Sequence, residues 1–328
     1  MDKLTVVIPT YNRAQYLKKA IQGVLEQSFK DFRLIILDNN SSDNTATIVK
    51  SFDDARIHYI KNEKNIGSIE NLNKAIELCE TEYLSIPHDD DIMKKEFLER
   101  ELQILESNQN ISVVATNAEI IDENGNVIGN KLLNYNNDRV FATHEYSRNS
   151  LLGSDISFFL PCPTVMFRTN ILKKYKLRFK EEMMLMADAF LWLELNTLPF
   201  EFYWVADPLY MYRFHCGQES KQSFIISRIN FFDKLKPFLI KNDLANLIPA
   251  VAHGYYLFIT NNLIEETLFH GLTNEQYKIY KDKMNAAGIT MQYKIGCKEI
   301  KLYFKILLMK ISPNILRTIL RLKRKELK

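Results

Sequence analysis

Residues 88–91 read His-Asp-Asp-Asp, three adjacent carboxylates behind one imidazole. Like charges this close repel, and either a cation among them or water around them must relieve the cost. Hard oxygen ligands suit Mg2+ or Mn2+, and an ion held there bridges two phosphates and stabilises a departing diphosphate. The plain alternative is a solvated acidic loop or a cluster at a helix start. Asp38 is a second candidate, able to accept hydrogen bonds from a base or ribose, or to cap the helix that follows. Asp188 stands ahead of AFLWLEL, where it serves as a helix cap or as a general base set among apolar neighbours. His215, in YRFHCGQES, has a role near phosphate or metal only if the fold brings it to the same edge as the acidic run.

What would position these groups is a series of short apolar runs. LTVVIP (4–9), FRLIILD (32–38), IHYI (57–60), EYLSIP (82–87) and ISVVATNAEII (111–121) read as buried strands. Helical spacing predicts helices over 14–27, 45–52, 68–79 and 94–107; in the first, Leu17, Ala20, Ile21, Val24 and Leu25 share a face. Ser41, Ser42 and Asp43 offer caps for the second. Asn124-Gly125 signals a hairpin. Strands alternating with helices imply right-handed crossovers and a mainly parallel sheet. Ligands bind such sheets at the carboxyl ends of the strands. Tyr11-Asn12, Asp38-Asn39-Asn40 and His88 to Asp91 should therefore meet on one edge. Past 130 the alternation is lost: 151–167 is apolar with two prolines, 186–195 reads as helix, 201–215 as extended chain interrupted at Pro208, and the rest mostly as helix.

The chain of 328 residues, 46% hydrophobic and 25% charged, has ordinary globular composition, enough for one α/β domain and a smaller C-terminal piece. We expect a catalytic domain over 1–220, a helical extension over 221–297 and a basic tail over 298–328. Cys79, Cys162, Cys216 and Cys297 are dispersed, without a CxxC pair, which argues against a zinc knuckle or redox dithiol and fits a reducing cytosol. The N-terminus turns polar by Thr10, too soon for a secretory signal, and no window reaches about 18 uninterrupted apolar residues. The net charge of +3 is uneven: residues 298–328 carry +8, leaving −5 for the rest, so a nucleic-acid-binding fold is not expected. The tail reads as two basic amphipathic helices in series. In 298–311, Lys298, Lys301, Lys305 and Lys310 are interspersed with apolar residues. In NILRTILRLKRKELK (314–328), Ile315, Leu316, Ile319, Leu320 and Leu322 oppose Arg317, Arg321, Arg324 and Lys325. That pattern suits peripheral contact with the cytoplasmic face of a membrane, or packing against the catalytic domain or a second copy of the chain.

The pattern as a whole, over about residues 3–215, resembles the inverting glycosyltransferases of family 2, which adopt the GT-A fold. VVIPTYNR is similar to the family's first strand and donor loop, DNNSSDNT to its nucleoside-binding segment, NEKNIGSIENLNKAI to its N-x-G…N stretch, HDDDI to its D-x-D region and ADAFLWL to its acidic catalytic segment. The resemblance implies an α/β fold of GT-A type, with helices flanking the mixed, mainly parallel sheet and a helical C-terminal extension. It implies a nucleotide-sugar donor, with UDP the expected nucleotide, a glycan or lipid-linked glycan acceptor, and Mn2+ or Mg2+. By its motifs, Pro9, Thr10, Tyr11, Arg13, Asp38, Asn40, Asn65, Asn71, Asp89 and His215 bind the donor. Asp90 and Asp91 hold the metal, and Asp188 is the base. His88 replaces the first Asp of many members, leaving Asp89 to supply a second carboxylate, and Ala187 replaces a Glu, leaving Asp188 as the one acid of its segment. Two other readings compete. A sugar-phosphate nucleotidyltransferase would need a Gly-rich loop where TYNRAQ stands. An inactive sugar-nucleotide-binding scaffold would bind donor without hydrolysing it.

Overall fold

The computed structural model describes residues 2–133, 135–152, 160–215, 224–269 and 272–289, with Leu302, Lys305, Ile306, Met309, Leu316 and Leu320 beyond them. The chain divides into two units, residues 1–149 with 158–219, and residues 150–157 with 220–328.

In the first unit, the alternation read from the sequence runs β1 (Leu4–Thr10), α1 (Ala14–Leu25), β2 (Phe32–Asp38), α2 (Thr45–Lys50), β3 (Ile57–Lys61), α3 (Ser68–Leu78) and β4 (Tyr83–Ser85). Then follow β5 (Ile92–Met93), α4 (Phe97–Ser107), β6 (Ile111–Ile121), β7 (Val127–Gly129), β8 (Arg139–Phe141), α5 (Glu145–Leu152, its last three residues counted with the second unit), β9 (Val165–Arg168), α6 (Thr169–Lys174), α7 (Ala187–Asn196) and β10 (Glu201–Arg213). The path across the sheet is β3-β2-β1-β4-β9-β6-β10-β5, with β7 beside β6 and β8 beside β10.

Strands β3, β2, β1 and β4 are mutually parallel. The apolar run left unassigned in the sequence supplies β9, which lies antiparallel to both β4 and β6. Being opposite to both, it leaves β4 and β6 running the same way, and β10 is parallel to β6. Six strands therefore point their carboxyl ends at one edge. The long β10 pairing shifts register on either side of Pro208, where the missing N–H breaks the ladder. The Asn124-Gly125 turn forms the expected hairpin, with Gly125 at φ 96° and Ile121 opposite Val127.

The strands are legible because their side chains are buried on both faces: Leu4, Val6, Val7, Ile8, Leu34, Ile36 and Leu37 have no exposed surface. Leu17, Ala20, Ile21 and Val24 form the buried face of α1. Helix α1 lies so close to β5 that a Cβ on Gly23 would meet the Met93 carbonyl at 3.1 Å. Arg168, buried at the end of β9, donates to the carbonyls of Ile111, Leu105 and Asn108 and to the Tyr83 hydroxyl, locking the end of α4 to the sheet. Hydrogen bonds from a charged donor contribute about 1.5–3 kcal/mol each.

The second unit is helical: α8 (Phe224–Lys241), α9 (Ile248–Phe269) and α10 (Asn274–Ala286), the last opened by a capping box between Thr273 and Gln276. Phe231 and Phe232 pack on Tyr255, joining α8 to α9. The two tail helices expected over 298–328 lie largely outside the described residues. Where the tail is described, Leu302, Leu316 and Leu320 are buried in a cluster with Ile264 and Leu268 of α9. Lys305 Nζ donates to Asn261 Oδ1 at 2.7 Å. Leu316 and Leu320, part of the apolar stripe for which the sequence offered a membrane or a protein surface as cover, are thus covered by protein. Among the described residues no helix is long and apolar enough to cross a membrane.

Candidate active site

The loops at the carboxyl edge are built by side chains that bond to one another. Asn12 and Asn40, each just past a strand, turn the chain with φ 53° and 68°, a region asparagine tolerates better than most residues. The two loops are tied reciprocally: Asn12 N donates to Ser41 Oγ at 2.9 Å, and Ser42 N donates to Asn12 Oδ1 at 2.8 Å. Asp43 receives Ala14 N and Thr45 N, joining the starts of α1 and α2.

Asp38 is fully buried, with Oδ1 accepting from Ser41 N at 2.7 Å and Oδ2 from the Tyr59 hydroxyl at 2.5 Å. Burial and the Asp38 bond push the Tyr59 hydroxyl well above its ordinary value. The carboxylate therefore braces its own loop and does not cap the helix that follows; Asp43 is the carboxylate that accepts from Thr45 N at the start of α2. Next to it lies an amide lattice. Asn62 Nδ2 donates to Asn39 Oδ1 and Asn71 Oδ1. Asn71 Nδ2 donates to the Leu37 carbonyl, and Asn39 Nδ2 to Asn65 Oδ1 and the Gly67 carbonyl. Asn71 is buried with both ends of its amide engaged, so it shapes the loop and does not reach beyond it. Asn65 is exposed and turns its Oδ1 inward to Asn39 and to Gly67 N, where φ is 88°.

On the other side of β1, three strand ends converge. Arg13 follows β1, Asp89 and Asp90 follow β4, and His215 follows β10. Arg13 Nη1 is paired with Asp90 Oδ2 and lies 3.2 Å from His215 Nε2, which is itself 2.9 Å from Asp90 Oδ2. Arg13 Nε is 4.0 Å from Asp89. Tyr16, one helical turn after Arg13, packs its ring against His215 with centroids 5.1 Å apart. Pro9 is half-buried and Thr10 buried at the end of β1, while Tyr11 is 45% exposed at the rim.

A second group of ligand atoms lies on the Asp90 loop itself. One atom each from His88, Asp90 and Asp91 fall within 4.8 Å of one another. The replacement at position 88 therefore supplies a possible nitrogen ligand. The carboxylate that converges with Asp90 in this group is Asp91, whereas Asp89, expected as the second carboxylate, faces Arg13.

Arg213 is the residue the sequence reading missed. Its backbone N donates to Asp91 Oδ1 at 2.8 Å, its Nε to the Asp90 carbonyl at 2.6 Å, and its Nη1 to the carbonyls of Asp122 and Glu123. Its guanidinium also covers the Tyr16 ring at 5.0 Å. The acidic loop is thereby fastened to the β6–β7 turn. The available signal was the spacing to His215, since residues two apart at a strand end face the same way.

The electrostatics favour a cation. Burial and the Asp90 charge push Asp89 up to about 7, against the pull of Arg13. Burial and the charges of Asp90 and Asp89 hold Asp91 well above the usual carboxylate range. Burial also opposes ionisation of Asp90, but His88, Arg13 and His215 outweigh it and keep that carboxyl low. Asp91 Oδ2 is buried without a hydrogen-bond partner; the nearby Tyr210 hydroxyl, itself raised by burial and by Asp91, makes no bond of normal geometry with it. An orphaned carboxylate oxygen beside a second carboxylate and an imidazole fits Mn2+ or Mg2+. A carboxyl with a raised pKa holds a proton that the ion must displace. Affinity for Mn2+ should therefore rise as pH increases from 6 to 8, by up to about tenfold per unit while one proton is released. Titration calorimetry at fixed ionic strength checks this, and a flat or falling profile would show that Asp89 and Asp91 do not couple to the ion.

Asp188 lies in the first turn of α7, half-buried, with Ala189 N donating to its Oδ1 at 2.6 Å. It is a first-turn residue and not the cap, which is Met186. The buried Cys162 thiol is pushed up by burial and by the Asp188 charge. Cys162 lies three residues before β9, and β9 is antiparallel to β4, so this stretch is at the carboxyl edge. Trp192, one turn after Asp188, stacks on Phe167 of β9 at 5.3 Å and donates to the Leu160 carbonyl. That packing holds α7 with its first turn toward the edge.

Residues 5–176 match the family described as Glycosyl transferase family 2. An uncharacterized glycosyltransferase of Methanocaldococcus jannaschii is 30% identical over 220 residues, 65% of this chain and 72% of that protein. The Escherichia coli UDP-Glc:alpha-D-GlcNAc-diphosphoundecaprenol beta-1,3-glucosyltransferase WfgD is 27% identical over 192 residues, 58% of this chain and 69% of that one. In fold, the chain is similar to Staphylococcus aureus TarS 1–349 in complex with UDP, with a TM-score of 0.59 and 18% identity over 99% of this chain and 92% of the other.

Proposed function

The chain belongs to glycosyl transferase family 2, and from that premise we propose that it moves a sugar from a nucleotide-diphosphate sugar to a hydroxyl of a glycan or lipid-linked glycan, with inversion. UDP is the nucleotide we assign, and a lipid-linked acceptor is favoured by the substrate named for the E. coli relative. The observation that carries the reading is the meeting of Arg13, Asp89, Asp90 and His215 from three strand ends.

In this reading the nucleoside lies over the β1 and β2 ends, where Tyr11 offers an exposed ring and the buried Asp38 braces the loop beneath it. The lattice of Asn39, Asn62, Asn65 and Asn71 keeps that loop in shape. Asp90, with Asp91 and His88, would hold Mn2+ or Mg2+, which supplies positive charge to the leaving diphosphate. Arg13 adds donors on the same side, aimed where negative charge grows, and His215 Nε2, 2.9 Å from Asp90 Oδ2, would join the ligands of the same ion. Asp188 takes the acceptor hydroxyl proton as the acceptor oxygen bonds to the anomeric carbon. The bond from that carbon to the diphosphate oxygen breaks on the opposite face, which inverts the centre.

A thermal-shift series with UDP-, GDP- and dTDP-sugars, with and without Mn2+, tests the donor. A ligand at 100 times its Kd stabilises by about 2.7 kcal/mol, enough to raise Tm by several degrees. We expect such a shift with a UDP-sugar and Mn2+ together. No shift with any nucleotide sugar in the presence of Mn2+ would overturn the reading, and a shift with no release of UDP on adding acceptor glycans would favour a scaffold.

A further inference from the structure

Arg13 is placed to do more than line the donor site. Asp90 Oδ2 and His215 Nε2 face each other at 2.9 Å. Adjacent ligands of an octahedral ion at about 2.1 Å lie about 3 Å apart, so the two atoms have the spacing of neighbours around one cation. Arg13 Nη1 touches both of them. The three contacts do not satisfy one another fully. His215 Nε2 carries either a proton, which serves Asp90, or a lone pair, which serves Arg13, and never both. A divalent ion accepts a lone pair from each atom and has no such conflict.

We propose that Arg13 is a cationic placeholder, competing with the divalent ion for Asp90 and His215 and released to the donor diphosphate when the ion binds. The inference rests on the reading of Asp90 as a metal ligand given above, and adds the order of events. An ion arriving alone must break the Arg13–Asp90 pair and brings the guanidinium no new partner in exchange, leaving it beside Asp89, 4.0 Å away. An ion arriving with a nucleotide diphosphate gives Arg13 a new anionic partner, and guanidinium pairs strongly with phosphate in bidentate geometry. Metal and nucleotide therefore bind with positive coupling, and the coupling is reciprocal. The side chain has room to move: Arg13 is 22% exposed, whereas Asp90 is 8% exposed and fixed by its loop.

The test is Mn2+ binding without any turnover, read from the electron paramagnetic resonance of free Mn2+, with and without UDP. Arg13→Gln should bind Mn2+ alone at least tenfold more tightly than the unaltered protein. Added UDP should then strengthen Mn2+ binding less than it does in the unaltered protein. Arg13→Lys, which keeps the charge, should stay within about threefold of the unaltered protein for Mn2+ alone. Asp90→Asn serves as the control and should weaken Mn2+ binding in either background. If Arg13→Gln binds Mn2+ no more tightly while Asp90→Asn still weakens it, the metal site stands and the placeholder role is overturned. If Asp90→Asn leaves Mn2+ binding unchanged, the metal reading itself fails and takes this inference with it. Circular dichroism on each variant excludes loss of fold as the cause of weaker binding.

Discussion

Asp188→Asn should lower transfer by about 10²–10⁴ while leaving donor binding within a few-fold, because a general base acts only as the acceptor proton leaves. The alternative role is electrostatic support of α7 from its first turn, which contributes about 0.3–1 kcal/mol and would show as a small fall in Tm. The two effects differ by several kcal/mol and fall on different observables. Asparagine keeps an oxygen able to accept from Ala189 N, so the helix start survives the substitution. Single-turnover transfer and UDP titration, run on the same preparation, separate the cases. A variant that melts a few degrees lower yet transfers normally would leave Asp188 a structural residue.

Asp90→Asn should cost at least about 10³ in transfer, the scale of the several kcal/mol that charge stabilisation of a leaving diphosphate supplies. The fold should persist. The substituted amide loses the ion pair with Arg13, but the substitution also removes the charge that pushes Asp89 and Asp91 upward, and these changes oppose one another. Transfer by the unaltered protein should vanish in EDTA and return with Mn2+. Full activity of the variant, or of the unaltered protein under chelation, would remove the metal from the mechanism.

Several parts of this site are legible in the sequence alone. Strands β1, β2 and β6 announce themselves as β-branched runs buried on both faces, and the edge where their loops meet follows from the alternation with helices. The acidic loop is visible from composition. Strand β9 is not, because VMFR is four residues inside a longer apolar stretch, and its antiparallel direction is set by β4 and β6 rather than by local pattern. Arg213 escapes notice because it serves main-chain carbonyls, and a carbonyl leaves no mark on the sequence. Asn71 has the expected identity but spends its amide inside the loop. In the tail, amphipathic spacing reports an apolar face without saying what covers it; at Leu302, Leu316 and Leu320 the cover is protein.

The pairing of His215 with Asp90 spans 125 residues. At translation speeds of about 5–20 residues per second, Asp90 leaves the ribosome roughly 6–25 s before the histidine that completes its surroundings. For that interval the nascent chain carries three neighbouring carboxylates with Arg13 as their early counter-charge. Strand β10 delivers both Arg213 and His215 at its end, so the clamp on the loop and the last donor of the site arrive together. The residues that complete the surroundings of the acidic loop are thus translated late and together, on the strand that also joins β6 to β5 in the sheet.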